Sequence, residues 1–207
     1  MSSVTTEIEA HTPPAVDGTP YELSADTFLA MIEEGFFPEE ARVYLEDGKI
    51  YEKMAKSNAH GMVATVLAIA LMPRLPAGWF LATEGQFKLD PKNSPLPDIA
   101  VIRGDPRVYF ARDRRPNARD MGLVIEIAVT SLVKDLGPNL ERHARARVPN
   151  YWVADVGGRR IIAHSRPRVS KGRGAYDLTQ IVQAGDVLPL VLDGVEVVQF
   201  TYEELMP

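Results

Sequence analysis

Residues 121–155, MGLVIEIAVTSLVKDLGPNLERHARARVPNYWVAD, constrain the fold more than any other stretch. The apolar run 122–128 is short, rich in Ile and Val, and interrupted by one carboxylate, Glu126. Such a run reads as a buried strand, and a charge inside one requires a partner or a metal. A polar turn at Thr130 and Ser131 leads into a helical segment over 134–147, where Leu136, Leu140, Ala144 and Val148 recur every fourth position and define a core-facing stripe. A second strand is expected over 151–156. Strand, helix and strand in so short a span form a crossover unit, so the two strands should lie parallel in one sheet.

With 207 residues, the chain suits a single domain over 21–207, behind a flexible N-terminal arm over 1–20 that carries Pro13, Pro14 and Pro20. There is no cysteine, which excludes disulfides, thiolate nucleophiles and cysteine metal sites. The longest apolar run, 62–73, is too short to span a bilayer. The N-terminus has acids and prolines where a signal peptide has basic and apolar residues. These features point to a soluble, cytoplasmic protein without a membrane partner.

The net charge of −5 is unevenly spread: the first 102 residues hold 7 Lys/Arg against 15 Asp/Glu, and the rest hold 16 against 13. The segment 103–119 carries six arginines. The segment 159–173 carries Arg159, Arg160, Arg166, Arg168, Lys171 and Arg173 with no acid. These six are either solvated loop and hairpin charges or a polyanion-facing rim that binds nucleic acid. The acidic total argues against tight non-specific DNA binding, which needs many phosphate-neutralising cations.

Along the chain, Ser24 caps a short helix with Phe28, Ile32 and Met31 on its buried face. Asp47-Gly48 between two short runs signals a hairpin over 42–53. A second helix over 58–74 is apolar around most of its circumference and should lie against the sheet, with His60 near its start. Strands are expected over 79–83, 86–89, 99–102, 161–165, 175–182 and 195–200, and a turn of helix over 202–205. Residues 103–120 read as a surface loop or short helix.

Two acids each open or interrupt an apolar strand: Asp98 in LPDIAVI and Glu126 in LVIEIAV. On neighbouring strands they would form a hard-oxygen site for Mg²⁺ or Mn²⁺ that binds a phosphodiester and activates water. The bland alternative has Asp98 capping a turn after Pro97 and Glu126 paired with an arginine. His60 is a ligand or substrate contact on one reading, and a capping or packing residue on the other.

Pro97-Asp98, the LVIEIA strand, Asp135, and a helix running into VPNYWVAD occur here in a characteristic order. In these features the chain resembles the Uma-type restriction endonucleases of the PD-(D/E)xK nuclease superfamily, with likeness from VYLEDGKIYEKM through His60 to GDVLPLVLDGVEV. The resemblance implies an α/β (α+β), restriction-endonuclease-like fold: a mixed central sheet flanked by helices, with additional β-hairpins. It also implies metal held by Asp98 and Glu126, with Glu52 as a further acid of the site. Family members place a lysine four residues beyond the acid that matches Asp135, to orient water and stabilise charge on phosphate. Here that position is Asn139, which cannot replace an ammonium electrostatically, and Gly137-Pro138 precedes it. Lys134, Arg142 and His143 are the neighbouring candidates to substitute.

The expected function is a metal-dependent DNA endonuclease, a homodimer because duplex cutting needs two scissions. The rival is a nuclease-fold protein that no longer cuts and serves as a nucleic-acid-binding or assembly module. No Gly-x-Ser-x-Gly, phosphate loop or paired-histidine zinc motif supports an unrelated hydrolase.

Overall fold

The computed structural model describes residues 18–111 and 115–207. Residues 1–17 of the expected N-terminal arm, and 112–114 of the arginine-rich segment, lie outside the described residues. In chain order, helix α1 (Ala25–Glu33) precedes strands β1 (Val43–Glu46) and β2 (Lys49–Glu52), helix α2 (Asn58–Leu71), strands β3 (Trp79–Thr83) and β4 (Ile99–Arg103), and short helix α3 (Pro106–Phe110). Strand β5 (Met121–Ala128) then enters the crossover, made of α4 (Leu132–Lys134), a π turn (Asp135–Asn139) and α5 (Leu140–Arg145). Strands β6 (Asn150–Asp155), β7 (Arg160–Ser170), β8 (Arg173–Val182), β9 (Val187–Leu192) and β10 (Val195–Thr201) follow, then helix α6 (Tyr202–Leu205).

Six strands form the central sheet in the order β3-β4-β5-β6-β7-β8. The β5–β6 pair is parallel, as the crossover requires, and the other pairs are antiparallel. Alternation along each strand sorts the side chains onto two faces. Ile99, Val101, Leu123, Ile125, Ile127 and Trp152 pack with Val63, Leu67 and Leu71 of α2 and with Leu188, Leu190 and Phe200 of the β9–β10 hairpin. Each fully buried leucine there, such as Leu67, contributes about 1.5–3 kcal/mol. On the opposite face Ala100, Val124, Ala128 and Tyr151 pack with Phe87, Leu89 and Val148 and with the half-buried Leu132, Leu136 and Leu140 of the crossover.

Several expectations need correction. The segment 86–89 is not a strand: Lys88 and Leu89 donate to Pro116 and Asn93 in loops, while Phe87 and Leu89 are buried in the core. Strand β9 went unread because Pro189 interrupts its pattern, yet a two-stranded hairpin tolerates a proline on an unpaired edge. In α2, Met62 and Ile69 are exposed, and the buried stripe is the narrower Val63, Leu67 and Leu71. The crossover helix is not continuous either. Pro138 cannot donate and its ring crowds the preceding turn, and the backbone accommodates it by widening into the π turn.

Beta strand β8 can approach α5 closely only because residue 174 is glycine. A Cβ there would stand 2.2 Å from the backbone nitrogen of Arg145 and 2.2 Å from the carbonyl oxygen of Glu141, atoms that cannot rotate away. Gly174→Ala is therefore expected to destabilise the protein by at least the roughly 1–3 kcal/mol typical of overpacking. Gly61→Ala, in α2 with open space around the added methyl, should be neutral or gain up to about 1 kcal/mol of helix propensity. Thermal melts of the two variants check this, and equal melting temperatures would refute it.

Candidate active site

The register of β4 on β5 pairs Ile99 with Ile125, so Asp98, just ahead of β4, lies across from Glu126 on the same face. Both are buried, at 3% and 7% relative exposure. The Ile127 amide donates to Asp98 Oδ2 at 2.8 Å, which fixes that carboxylate against the neighbouring strand. His60 Nε2 lies 2.9 Å from the same oxygen, and Ser57 caps α2 by accepting from the His60 amide. The cap thus sets where the imidazole leaves the helix. His60 Nδ1 is buried and meets no partner among the described residues.

Two lysines complete the surroundings. Lys53 follows β2 and continues the ladder by donating its amide to the Arg42 carbonyl. Its ammonium donates to Asp98 Oδ1 at 2.7 Å and to the Leu96 carbonyl at 2.9 Å, and lies 3.8 Å from Glu126 Oε2. Lys56 Nζ lies 3.0 Å from Asp98 Oδ1 and also pairs with Glu84, which Arg42 holds at 2.7 Å.

A third acid, Asp135, sits in the π turn and accepts from Ser131 Oγ at 2.5 Å and Asn139 Nδ2 at 2.9 Å. These groups line a cleft of about 570 Å³ whose walls also include Tyr44, Met54, Leu96 and Ile127.

Charge is unequally shared among the acids. Burial alone would raise the Asp98 pKa, but hydrogen bonds from His60 and the Lys53 ammonium outweigh it and hold the carboxyl well below its usual range. Glu126 goes the other way. Burial pushes it up to about 8; Lys53 opposes this, and the Asp98 and Asp135 carboxylates add to it. Asp135 is also raised, by burial, against its bonds from Ser131 and Asn139. Burial lowers Lys53, but Glu126 and Asp98 outweigh that and raise it, so it stays an ammonium.

A family model described as Uma2, putative restriction endonuclease, matches residues 25–200. The chain belongs to the Uma2 family. A solved structure described as a putative nuclease belonging to DUF820 from Anabaena variabilis is similar, with a TM-score of 0.58 and 16% identity, over 90% of this chain and 97% of that one. At that identity the likeness speaks for the fold, and it agrees with the mixed six-stranded sheet and its flanking helices. No curated protein matches the chain. No helix among the described residues is long and apolar enough to cross a membrane.

Within this Uma2 fold the residues singled out from the sequence separate into groups. Asp98, Glu126 and His60 meet in the cleft. Asn139 lines it but commits its amide to Asp135. Glu52 is exposed at the mouth, and it is the next residue, Lys53, that reaches the acid pair. Glu126 is paired with that lysine and not with an arginine, and Asp98 caps no turn.

The three neighbouring candidates do not replace the absent helix lysine. Lys134 pairs with Glu46 and Tyr44, and Arg142 with Glu46 and Asp47. His143 stacks on Tyr151 at 4.9 Å, and burial lowers its pKa to about 4, which makes it a neutral core residue.

Of the basic segment, Arg159 and Arg160 lie at the site's end of the sheet, with Arg160 held by Asp155 at 2.9 Å. Pairing of Asn150 with Ser165 and of Asp155 with Arg160 carries Arg166, Arg168, Lys171 and Arg173 to the opposite end, where Arg168 pairs with Asp177. Sequence reasoning missed Lys53 and Lys56. The signal was a lysine pair in YEKMAKS just ahead of the Ser57 cap, which places both at the start of the helix that carries His60.

Because the folded pKa of Glu126 is raised, its contribution to stability is complete below the ordinary carboxylate pKa and is lost as pH rises through about 8. In chelating buffer, Glu126→Gln should therefore gain on the wild type between about pH 5 and about pH 9. A gap on the order of a few kcal/mol would appear as roughly 2–4 °C of melting temperature per kcal/mol. Parallel melting curves across that range would mean that Glu126 ionises normally.

Proposed function

We propose that this chain is a divalent-metal-dependent DNA endonuclease, with Mg²⁺ or Mn²⁺ held by Asp98 and Glu126. The observation that carries the reading is the acid pair itself: two buried carboxylates, side by side on adjacent strands, in a cleft lined by cations. The family description, restriction endonuclease, supports DNA as the substrate.

The residues fit such an ion. The donors are all oxygen, as hard cations prefer. One ammonium already lies within 2.7 Å and 3.8 Å of the two acids, so the space between them accepts a compact cation. Burial beside Asp98 and Asp135 makes ionised Glu126 short of counter-charge. The described residues hold no cluster of three His/Cys/Asp/Glu arranged for a metal. Magnesium needs only one or two carboxylates, because water and substrate phosphate fill its remaining positions. When bound, the ion would supply Lewis acidity towards water and phosphate.

The chain's own groups do the positioning. His60 and the Ile127 amide orient Asp98, and Ser131 and Asn139 hold Asp135. In the hydrolysis a water oxygen bonds to phosphorus as one ester P–O bond breaks. The water gives up a proton and the departing alkoxide takes one, leaving a phosphate monoester end and a hydroxyl end. Cutting both strands of a duplex needs two such centres, which a homodimer would supply.

The test is cleavage of supercoiled plasmid with Mg²⁺ or Mn²⁺ by wild type and Asp98→Asn. The wild type should cut and the variant should lose at least about 10²-fold in rate. A thermal melt accompanies it, because removing the Asp98 charge strands two lysines. Metal affinity, read by calorimetry, should rise with pH as Glu126 gives up its proton. Plasmid binding without cleavage would favour the rival binding module, and cleavage that survives Asp98→Asn would refute the site.

A further inference from the structure

We infer that Lys53 is a catalytic residue of this cleft: its ammonium contacts the scissile phosphate, so the hairpin supplies the cation that the crossover helix does not. The inference rests on the hydrolytic reading above and adds to it a residue from a different element.

Four observations carry it. First, Lys53 alone among the described cations lies within ion-pair distance of both Asp98 and Glu126, so it stands wherever a phosphate bound at these acids would arrive. Second, its ammonium is aimed, not loose: the Leu96 carbonyl and Asp98 Oδ1 accept two of its protons. That leaves donor capacity directed at Glu126 and the cleft. Third, the other cations are spent elsewhere. Lys56 is shared with Glu84, Lys134 and Arg142 are tied to the β1–β2 hairpin, and Asn139 is neutral and bonded to Asp135. Fourth, Lys53 is a quarter exposed, at 26%, and lines the cleft, so a substrate can reach it without unfolding the hairpin.

The chemistry needs such a group. As water attacks phosphorus, negative charge grows on the non-bridging oxygens, and a preorganised cation beside them stabilises it most in the transition state. An ammonium held at the carboxylates that would also hold the metal would act on the same phosphate.

The test compares wild type with Lys53→Gln and Lys53→Arg, using plasmid cleavage with Mn²⁺ and, separately, Mn²⁺ titration without DNA by water-proton relaxation. Lys53→Gln should lose about 10²–10³ in kcat while KM changes little. Its Mn²⁺ affinity should be kept or tightened, because a like charge has left the acid pair. Lys53→Arg retains the positive charge without the shape of an ammonium; it should fold and cut at least roughly tenfold faster than Lys53→Gln. It also stands in if the glutamine variant fails to fold, where a rate above that of Asp98→Asn is the expected result.

Cleavage by Lys53→Gln close to wild type would overturn the inference. So would joint loss of Mn²⁺ binding and activity, which would make Lys53 a residue that merely holds the acids in place. Lys53→Arg no faster than Asp98→Asn would overturn it as well. If the wild type shows no metal-dependent cleavage at all, the hydrolytic reading fails first and the role of Lys53 with it; cleavage lost only in Asp98→Asn would spare the reading and remove Lys53.

Discussion

Two buried carboxylates side by side at the end of a strand pair are an unfavourable arrangement, and much of the local structure compensates for it. Desolvation and mutual repulsion both favour protonation. The two acids resolve the conflict differently. Asp98 takes the donors of His60, Lys53, Lys56 and the Ile127 amide and stays ionised. Glu126 has a longer approach from Lys53 and a backbone hydrogen bond from Asp98, too little to offset its burial, and is pushed towards the neutral form. The pair therefore holds less negative charge than its composition suggests, and an arriving cation would restore it.

That compensation depends on an element outside the central sheet. The β1–β2 hairpin closes through Asp47 and Gly48, both in the left-handed region at φ 48° and 75°, the turn that matches strand twist. It is tied to the crossover by Arg142 on Glu46 and Asp47 and by Lys134 on Glu46 and the Tyr44 ring, and to the loop before β4 by Asn93. Such partly exposed pairs are each worth little, but together they fix a register. That register decides that Lys53, and not the exposed Glu52, reaches the acids.

The sheet was legible in the sequence because a short apolar run rich in Ile and Val is a local signal, and LVIEIAV and YWVAD carry it. The acid pair was legible for the same reason: a lone carboxylate in an apolar run is conspicuous. Lys53 was not, because a lysine at a strand end is the commonest of surface residues, and only the tertiary register turns it inward. The basic residues over 159–173 form a hairpin, as their sequence suggests, but their division between two ends of the sheet is set by strand register and is not a local signal. One continuous stretch of sequence spans the length of β7 and turns into β8, with Arg160 at the site's end of the sheet and Arg166 to Arg173 at the other.

Asn139 follows from the same charge count. The cleft sets Lys53 and Lys56 against Asp98, Glu126, Asp135 and the neighbouring Glu84. Through the π turn, residue 139 faces Asp135, and its amide reaches that carboxylate at 2.9 Å. A lysine in its place would pair with Asp135 before it met a phosphate, and it would bring a third ammonium into a space where Lys53 already serves both sheet acids. An amide instead satisfies Asp135 without altering the charge. With the ammonium supplied by the hairpin, the helix position is free to be neutral, and Gly137-Pro138 can loosen the helix there without displacing a charged group.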